Sequence, residues 1–201
     1  MQKIICITGP MAAGKNYVCS LFENKGWLSI DADQLIHSAI KQAEPQIIQT
    51  FLPYAQQKQI TLTNADGSLN RRELGKLIFP SKELLHKQEQ IVYPIFIQQT
   101  KELIAANPNQ NIILNATVLY KTPELLQLCS LIVFVTCPKL VRFIRAKKRD
   151  HLKSKQIISR FKAQSKLLQF YKQTGIPIKV LSNLGNDTPS KVKNIICSLQ
   201  Q

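Results

Sequence analysis

A glycine-rich run near the start of the chain has the residue types and spacing of a phosphate-binding loop. From Gly9 to Lys15 it reads G-P-M-A-A-G-K, which follows the pattern G-x4-G-K. In such a loop the glycines let backbone N–H groups curl around a phosphate, and the lysine reaches the β- and γ-phosphates. The run therefore predicts a nucleotide site.

The residue after the lysine departs from this pattern. Serine or threonine is usual there because its hydroxyl binds Mg²⁺, whereas this chain has Asn16. An amide oxygen can bind a metal directly or through water. Asn16 is therefore the candidate metal ligand, and the substitution bears more on catalysis than on nucleotide binding.

The flanking residues predict the elements that must position this loop. Residues 3–8 form an apolar, β-branched run that indicates a buried strand, and residues 16–25 carry apolar side chains at helical spacing. Strand, glycine loop and helix is the context that a phosphate loop requires.

A pair of aspartates, Asp31 and Asp33, follows the second predicted strand, residues 27–30. In a parallel α/β sheet, residues just past the carboxyl end of a strand line the ligand crevice. We therefore expect Asp33 near the transferred phosphate. The alternative is that an aspartate here only caps the helix predicted over residues 34–42; since one of the two can cap, the functional prediction rests on Asp33.

The charge favours a polyanionic partner, since Lys plus Arg number 27 against 12 acidic residues, a net charge of +15. The lysines are spread along the chain, which is typical of a solvated surface. The arginines lie in two places only, at 71–72 and between 142 and 160. Because guanidinium groups bind phosphates bidentately, this grouping favours two sites for small phosphorylated ligands, and nucleic acid is the less favoured partner.

Cysteine usage and hydropathy favour a cytoplasmic protein. The five cysteines are scattered and none has C-x-x-C spacing, which indicates buried or incidental thiols in a reducing compartment. No run reaches the length of a membrane span, and the first strand begins too early for a signal peptide.

The order of predicted elements is that of an α/β protein with a five-stranded parallel sheet and helices on both faces. The predicted nucleotide-binding core comprises residues 1–44, 108–140 and 175–201. Residues 45–107 are a predicted helical insertion that holds the phosphoryl acceptor, and residues 141–174 a predicted helical lid. Within these segments, Pro94 is expected to interrupt one helix, and residues 155–174 are expected to form another.

In order and at these spacings, several motifs together resemble the dephospho-CoA kinases, a family of P-loop kinases. The resemblance covers nearly the whole chain and implies a P-loop NTPase-type three-layer sandwich. The matching segments are the glycine loop, Asp31-Ala32-Asp33, residues 66–71 with Leu74 and Phe79, Arg145 with Arg149, Arg160-Phe161 with Gln164, and Asn183-Leu184-Gly185.

The resemblance implies transfer of a phosphoryl group from ATP, with Mg²⁺, to the ribose 3′-hydroxyl of dephospho-CoA. Asp33 would accept the hydroxyl proton, Lys15 would bridge to the γ-phosphate, and Arg145 with Arg149 would neutralise the transferring group. The implied nucleotide-binding residues are Gly9, Met11, Ala12, Ala13, Gly14, Lys15, Asn16, Tyr17 and Asn183, and the implied acceptor-binding residues are Asp33, Arg71 and Tyr93.

Three further positions differ from the family pattern. Tyr93 stands where histidine is usual, Asn115 where an acid is frequent, and Lys121 where the family has glutamate. Two other functions stay open: another small P-loop kinase acting on shikimate, a nucleoside or a nucleotide, and a non-catalytic protein that binds nucleotide or nucleic acid.

Overall fold

The computed structural model describes residues 2–150 and 152–200. The strands are β1 (Ile4–Thr8), β2 (Leu28–Asp31), β3 (Ile112–Asn115), β4 (Leu131–Thr136) and β5 (Ile178–Ser182). The helices are α1 (Lys15–Glu23), α2 (Ala32–Gln42), α3 (Glu44–Gln57), α4 (Arg71–Ile78), α5 (Lys82–Ala105), α6 (Pro123–Leu126), α7 (Lys139–Asp150), α8 (Ser154–Ala163), α9 (Leu167–Lys172) and α10 (Thr188–Gln200), with a 3₁₀ turn over Leu119–Lys121.

The strands form one parallel sheet in the order β2-β3-β1-β4-β5. This confirms the predicted five-stranded parallel sheet. Because β1 lies inside the sheet, the loop that leaves its carboxyl end lies between the ends of β3 and β4. The register aligns Asn115 with both Ile7 and Asp31 across three strands.

Helices cover both faces of the sheet. On one face, β-branched residues such as Val133 and Val135 pack with Phe22 of α1 and Ile195 of α10. Since successive strand residues point to opposite faces, Phe134 lies on the other face, where its ring meets Tyr171 of α9 at 6.4 Å. The sheet is therefore buried on both sides, as its nearly continuous apolar strands require.

The chain divides into two compact units, one of Met1–Ala32 with Ile104–Gln201 and the other of Asp33–Leu103. The first contains the sheet. The second is built from α3, α4 and most of α2 and α5, with Ile47, Phe51 and Leu77 fully buried. Its turn at residues 64–68 closes with a hydrogen bond of 2.8 Å from the Asn64 N–H to the Ser68 carbonyl.

Two helix predictions were wrong. Helix α5 continues through Pro94. Proline removes only one backbone donor, and the burial of Val92, Phe96 and Thr100 along the same helix offsets that loss. The single helix predicted over residues 155–174 is instead two, α8 and α9, with a turn at residues 164–166. Among the described residues, no helix is long and apolar enough to cross a membrane.

The cysteines provide a test of the packing. Cys6, Cys19, Cys129 and Cys137 are buried, and Cys197 is exposed. Burial raises the pKa of Cys19 to about 12, and burial likewise raises the pKa of Cys129 to about 12. Because the thiolate is the reactive form, these two thiols stay protonated and inert up to strongly alkaline pH.

We therefore expect a maleimide at pH 8 to modify Cys197 rapidly in the folded protein and the other four cysteines only after denaturation. Intact-mass spectrometry at short reaction times measures the number of labels. Cys197→Ser should remove the fast label, and a fast label that survives this substitution would contradict the burial of the other four cysteines.

Candidate active site

The loop between β1 and α1 needs glycine at both ends. Gly9 has φ +148° and Gly14 has φ +94°, values that side-chain-bearing residues rarely adopt. A Cβ on Gly9 would fall on the carbonyl oxygen of Val135, and a Cβ on Gly14 would fall on Nδ2 of Asn183. The glycine spacing is therefore set by the approach of β4 and of the residue after β5.

Lys15 is the first residue of α1, so its N–H lies at the positive end of the helix dipole. Its Nζ donates to the Gly9 carbonyl at 3.1 Å, which holds the side chain across the loop. The first turn of α1 contains no acidic residue, so nothing in that turn offsets its attraction for an anion.

Asn183 holds the far side of the loop. It is 5% exposed, its Nδ2 donates to the Ala13 carbonyl at 2.9 Å, and its Oδ1 accepts from the Thr188 hydroxyl at 3.2 Å. Thr188, which fixes the orientation of the amide, gave no signal in the sequence.

Asn16 contacts Asn115, another position where the chain departs from the family pattern. The Asn115 amide Nδ2 donates to Asn16 Oδ1 at 3.1 Å. An amide oxygen accepts two hydrogen bonds or ligands, so this contact orients Asn16 Oδ1 and leaves it one acceptor position. Within residues 2–150 and 152–200, no group of three or more His, Cys, Asp or Glu is placed to hold a metal ion. A single amide oxygen, that of Asn16, fits a hard cation that keeps most of its water, such as Mg²⁺.

A cationic cavity adjoins the loop. It has a volume of about 470 Å³ and is lined by Ala12, Gly14, Arg145, Lys148 and Arg149. Three of these five residues are cations on α7, and all three are exposed. The cavity therefore has the charge and the position to attract a phosphate group at the loop.

Met11 is held by Gln164 and Arg142, whose contacts with the loop the sequence did not predict. The Gln164 side-chain oxygen accepts from the Met11 N–H at 2.7 Å, and Arg142 Nε donates to the Met11 carbonyl at 2.9 Å. Arg142 was grouped with the phosphate-binding arginines, but it is 7% exposed and contacts the loop backbone. The match of Gln164 to a family motif was the available signal for its role.

Tyr17, a predicted nucleotide contact, is 49% exposed on α1.

The predicted acceptor residues lie in the second unit, where Arg71 and Tyr93 line one cavity of about 400 Å³. Its walls are mostly apolar, with Leu74 and Val92 among them, and the Tyr93 hydroxyl donates to Glu89 at 3.2 Å. Asp33 is the second residue of α2 and is exposed.

Comparison with known proteins shows the family to which the chain is similar. The family model described as "Dephospho-CoA kinase" matches residues 3–179. A curated dephospho-CoA kinase of Treponema denticola is 33% identical over 172 residues, which are 84% of this chain and 76% of that protein.

Two solved structures show the same fold. A Thermus thermophilus protein superposes with a TM-score of 0.81 at 24% identity, covering 98% of each chain. A shikimate kinase from Acinetobacter baumannii has a TM-score of 0.51 at 14% identity, covering 100% of this chain and 94% of its own.

The glycine loop, the cations beside it and the parallel sheet define a P-loop kinase, a class of phosphotransferase that uses ATP. The chain belongs to the dephospho-CoA kinase family.

Gly14→Ala should weaken ADP binding at least about tenfold, since the added Cβ displaces Asn183 from the loop. Gly26→Ala is the matched control, because Gly26 also has positive φ (+82°) but a Cβ there meets nothing within 4 Å. Both variants carry a backbone strain of roughly 1 kcal/mol. Isothermal titration calorimetry with ADP compares them, and equal affinities in the two variants would contradict the role of the Asn183 contact.

Proposed function

We propose that this protein phosphorylates the ribose 3′-hydroxyl of dephospho-CoA with ATP, giving coenzyme A. The observation that carries the proposal is the match of residues 3–179 to the dephospho-CoA kinase family. The glycine loop, Lys15 and the cations of α7 supply the phosphate-binding groups that this reaction needs.

On the nucleotide side, backbone N–H groups of the loop from Met11 to Lys15 would surround the β-phosphate, with Lys15 reaching the γ-phosphate. Two of these N–H groups are engaged within the protein, that of Met11 with Gln164 and that of Ala13 with the Pro10 carbonyl at 3.1 Å. Those two bonds shape the loop, which favours its other amides as the phosphate donors.

Arg145 and Arg149 would stabilise the charge of the transferring phosphoryl group. Both line the cavity beside the loop, and both come from α7, so one helix sets their distance from the phosphate. A contribution of this kind acts most strongly on the transition state, where charge on the transferred group is redistributed.

Magnesium would be held by Asn16 together with water and the nucleotide. When bound, Mg²⁺ neutralises charge on the β- and γ-phosphate oxygens. Asn115 keeps the Asn16 amide oxygen in a fixed orientation for this role.

The acceptor would bind in the cavity of the second unit. Dephospho-CoA combines a pantetheine arm, which carries methyl and methylene groups beside its amides, with a charged diphosphate, and this cavity combines apolar walls with the guanidinium of Arg71. Tyr93, on the same cavity, adds a phenolic ring and a hydroxyl that Glu89 orients.

Asp33 would accept the proton of the acceptor hydroxyl. It follows β2 by two residues, and the carboxyl end of β2 lies at the same edge of the sheet as the phosphate loop. A cytoplasmic location is part of the proposal, since scattered cysteines without C-x-x-C spacing are typical of a reducing compartment.

The alternatives have less support. The shikimate kinase shares the fold alone at 14% identity. A nucleic-acid-binding function would draw on the net charge of +15, but three cations lie together at one cavity beside the loop, which favours a small phosphorylated ligand.

Turnover should appear with dephospho-CoA and be absent with shikimate, adenosine or no acceptor. Release of ADP from Mg²⁺-ATP measures the rate, and ³¹P NMR of the product locates the new phosphate. Turnover with shikimate or adenosine, and none with dephospho-CoA, would show that the acceptor is not dephospho-CoA. ATP binding without turnover on any acceptor would favour the non-catalytic alternative.

Asp33→Asn should lower kcat by about 100-fold or more and leave ATP affinity within about twofold, because an amide cannot accept the proton. Steady-state kinetics and calorimetry with ATP give the two quantities. Asp31→Asn is the matched control for loss of a carboxylate at the same sheet edge. Equal losses of turnover and ATP affinity in Asp33→Asn would contradict its role as the base.

A further inference from the structure

The peptide groups on both sides of Met11 are held by side chains from outside the loop. Gln164, in the turn after α8, accepts from the Met11 N–H at 2.7 Å, and Arg142 of α7 donates to the Met11 carbonyl at 2.9 Å. We call this arrangement the Met11 clamp. It joins the phosphate loop to residues more than 130 positions later in the chain.

The Met11 side chain belongs to the same contact. With Ala12 it packs in a small core formed with Ala146 of α7 and Ile157 of α8. Arg160 Nη1 lies 3.8 Å from the Met11 sulfur. The backbone of one loop residue is therefore anchored to α7 and to the turn after α8, and its side chain to α7 and α8.

The burial of Arg142 lowers the stability of the fold. It is 7% exposed, burial lowers its pKa, and its Nη2 has no hydrogen-bond partner among the residues that the structure describes. Its guanidinium lies 4.2 Å from the centre of the Phe161 ring. A buried guanidinium with an unsatisfied donor is costly for stability, so its bond to the Met11 carbonyl is better explained by control of the loop.

We propose that Gln164 and Arg142 are positioning residues that hold Met11 so that the following loop amides keep their phosphate-binding conformation. This inference rests on the proposed function of the loop as the ATP site. It couples nucleotide affinity to the placement of α7, the helix that also carries Arg145 and Arg149. A nucleotide therefore binds best when α7 and α8 are seated on the loop.

An inhibitory role for the Met11 clamp predicts the opposite change in nucleotide affinity. If the Gln164 oxygen competed with phosphate for the Met11 N–H, the clamp would be inhibitory, and its removal would tighten nucleotide binding. The sign of the affinity change therefore separates positioning from inhibition.

Gln164→Met tests this, because methionine has nearly the same length and lacks the acceptor oxygen. We expect ADP to bind about five- to tenfold more weakly, the effect of losing one hydrogen bond that orders the loop. Gln169→Met is the matched control, an exposed position on α9, and it should bind ADP as the wild type does. Unchanged or tighter ADP binding in Gln164→Met, with the control unchanged, would overturn the proposal.

Amide exchange tests the clamp itself in the absence of nucleotide. The Met11 amide of the wild type should exchange slowly, Gln164→Met should accelerate its exchange at least about tenfold, and Gln164→Glu, which keeps an acceptor oxygen, should preserve the slow exchange. Fast exchange of Met11 in the wild type would overturn the proposal even if Gln164→Met failed to fold.

The proposed function can fail separately. If the wild type neither bound ADP nor turned over dephospho-CoA, or failed in either one, the proposed function would be refuted. Normal wild-type turnover with no effect of Gln164→Met on ADP affinity would refute only the clamp.

Discussion

A phosphate-binding loop must present backbone N–H groups to a ligand, so those groups cannot all bond to each other as they do in a helix or a sheet. The loop therefore has to be held by other polar groups, most of them from outside it. In this protein the Ala13 carbonyl is held by Asn183, the Met11 peptide groups by Gln164 and Arg142, and the Gly9 carbonyl by Lys15. These partners come from the ends of β5, α7, α8 and α1, so four elements of the first unit meet at the loop.

The two asparagines at the sheet edge behave as one structural feature. Taken separately, Asn16 stands where a hydroxyl is usual and Asn115 where an acid is frequent. In the fold, the amide of one donates to the oxygen of the other at 3.1 Å. The pair is neutral, so it offers a cation less negative charge than a hydroxyl and a carboxylate would. It still offers the Asn16 amide oxygen, which Asn115 holds in one orientation.

The excess of basic residues has a local structural meaning at α7. The helix carries cations in its last turn, at Lys147, Lys148 and Arg149, where they are favourable for the helix dipole. Lys148 and Arg149 also line the cavity beside the loop. The charges that stabilise the end of α7 are therefore among those available to a phosphate, whereas Arg142 on the same helix is buried against Met11.

The sequence by itself determined the strands, the parallel sheet, the phosphate loop and the family, because each depends on local apolar patterning or on residues close together in the chain. It did not reveal the break between α8 and α9, since residues 164–166 contain neither glycine nor proline. It also did not reveal the bonds of Gln164 and Arg142 to Met11, or the support of Asn183 by Thr188. Those contacts join residues made neighbours by strand order and helix packing, and a side chain's bond to a distant peptide group leaves no periodic pattern. The tertiary structure alone decided which polar side chains hold the loop.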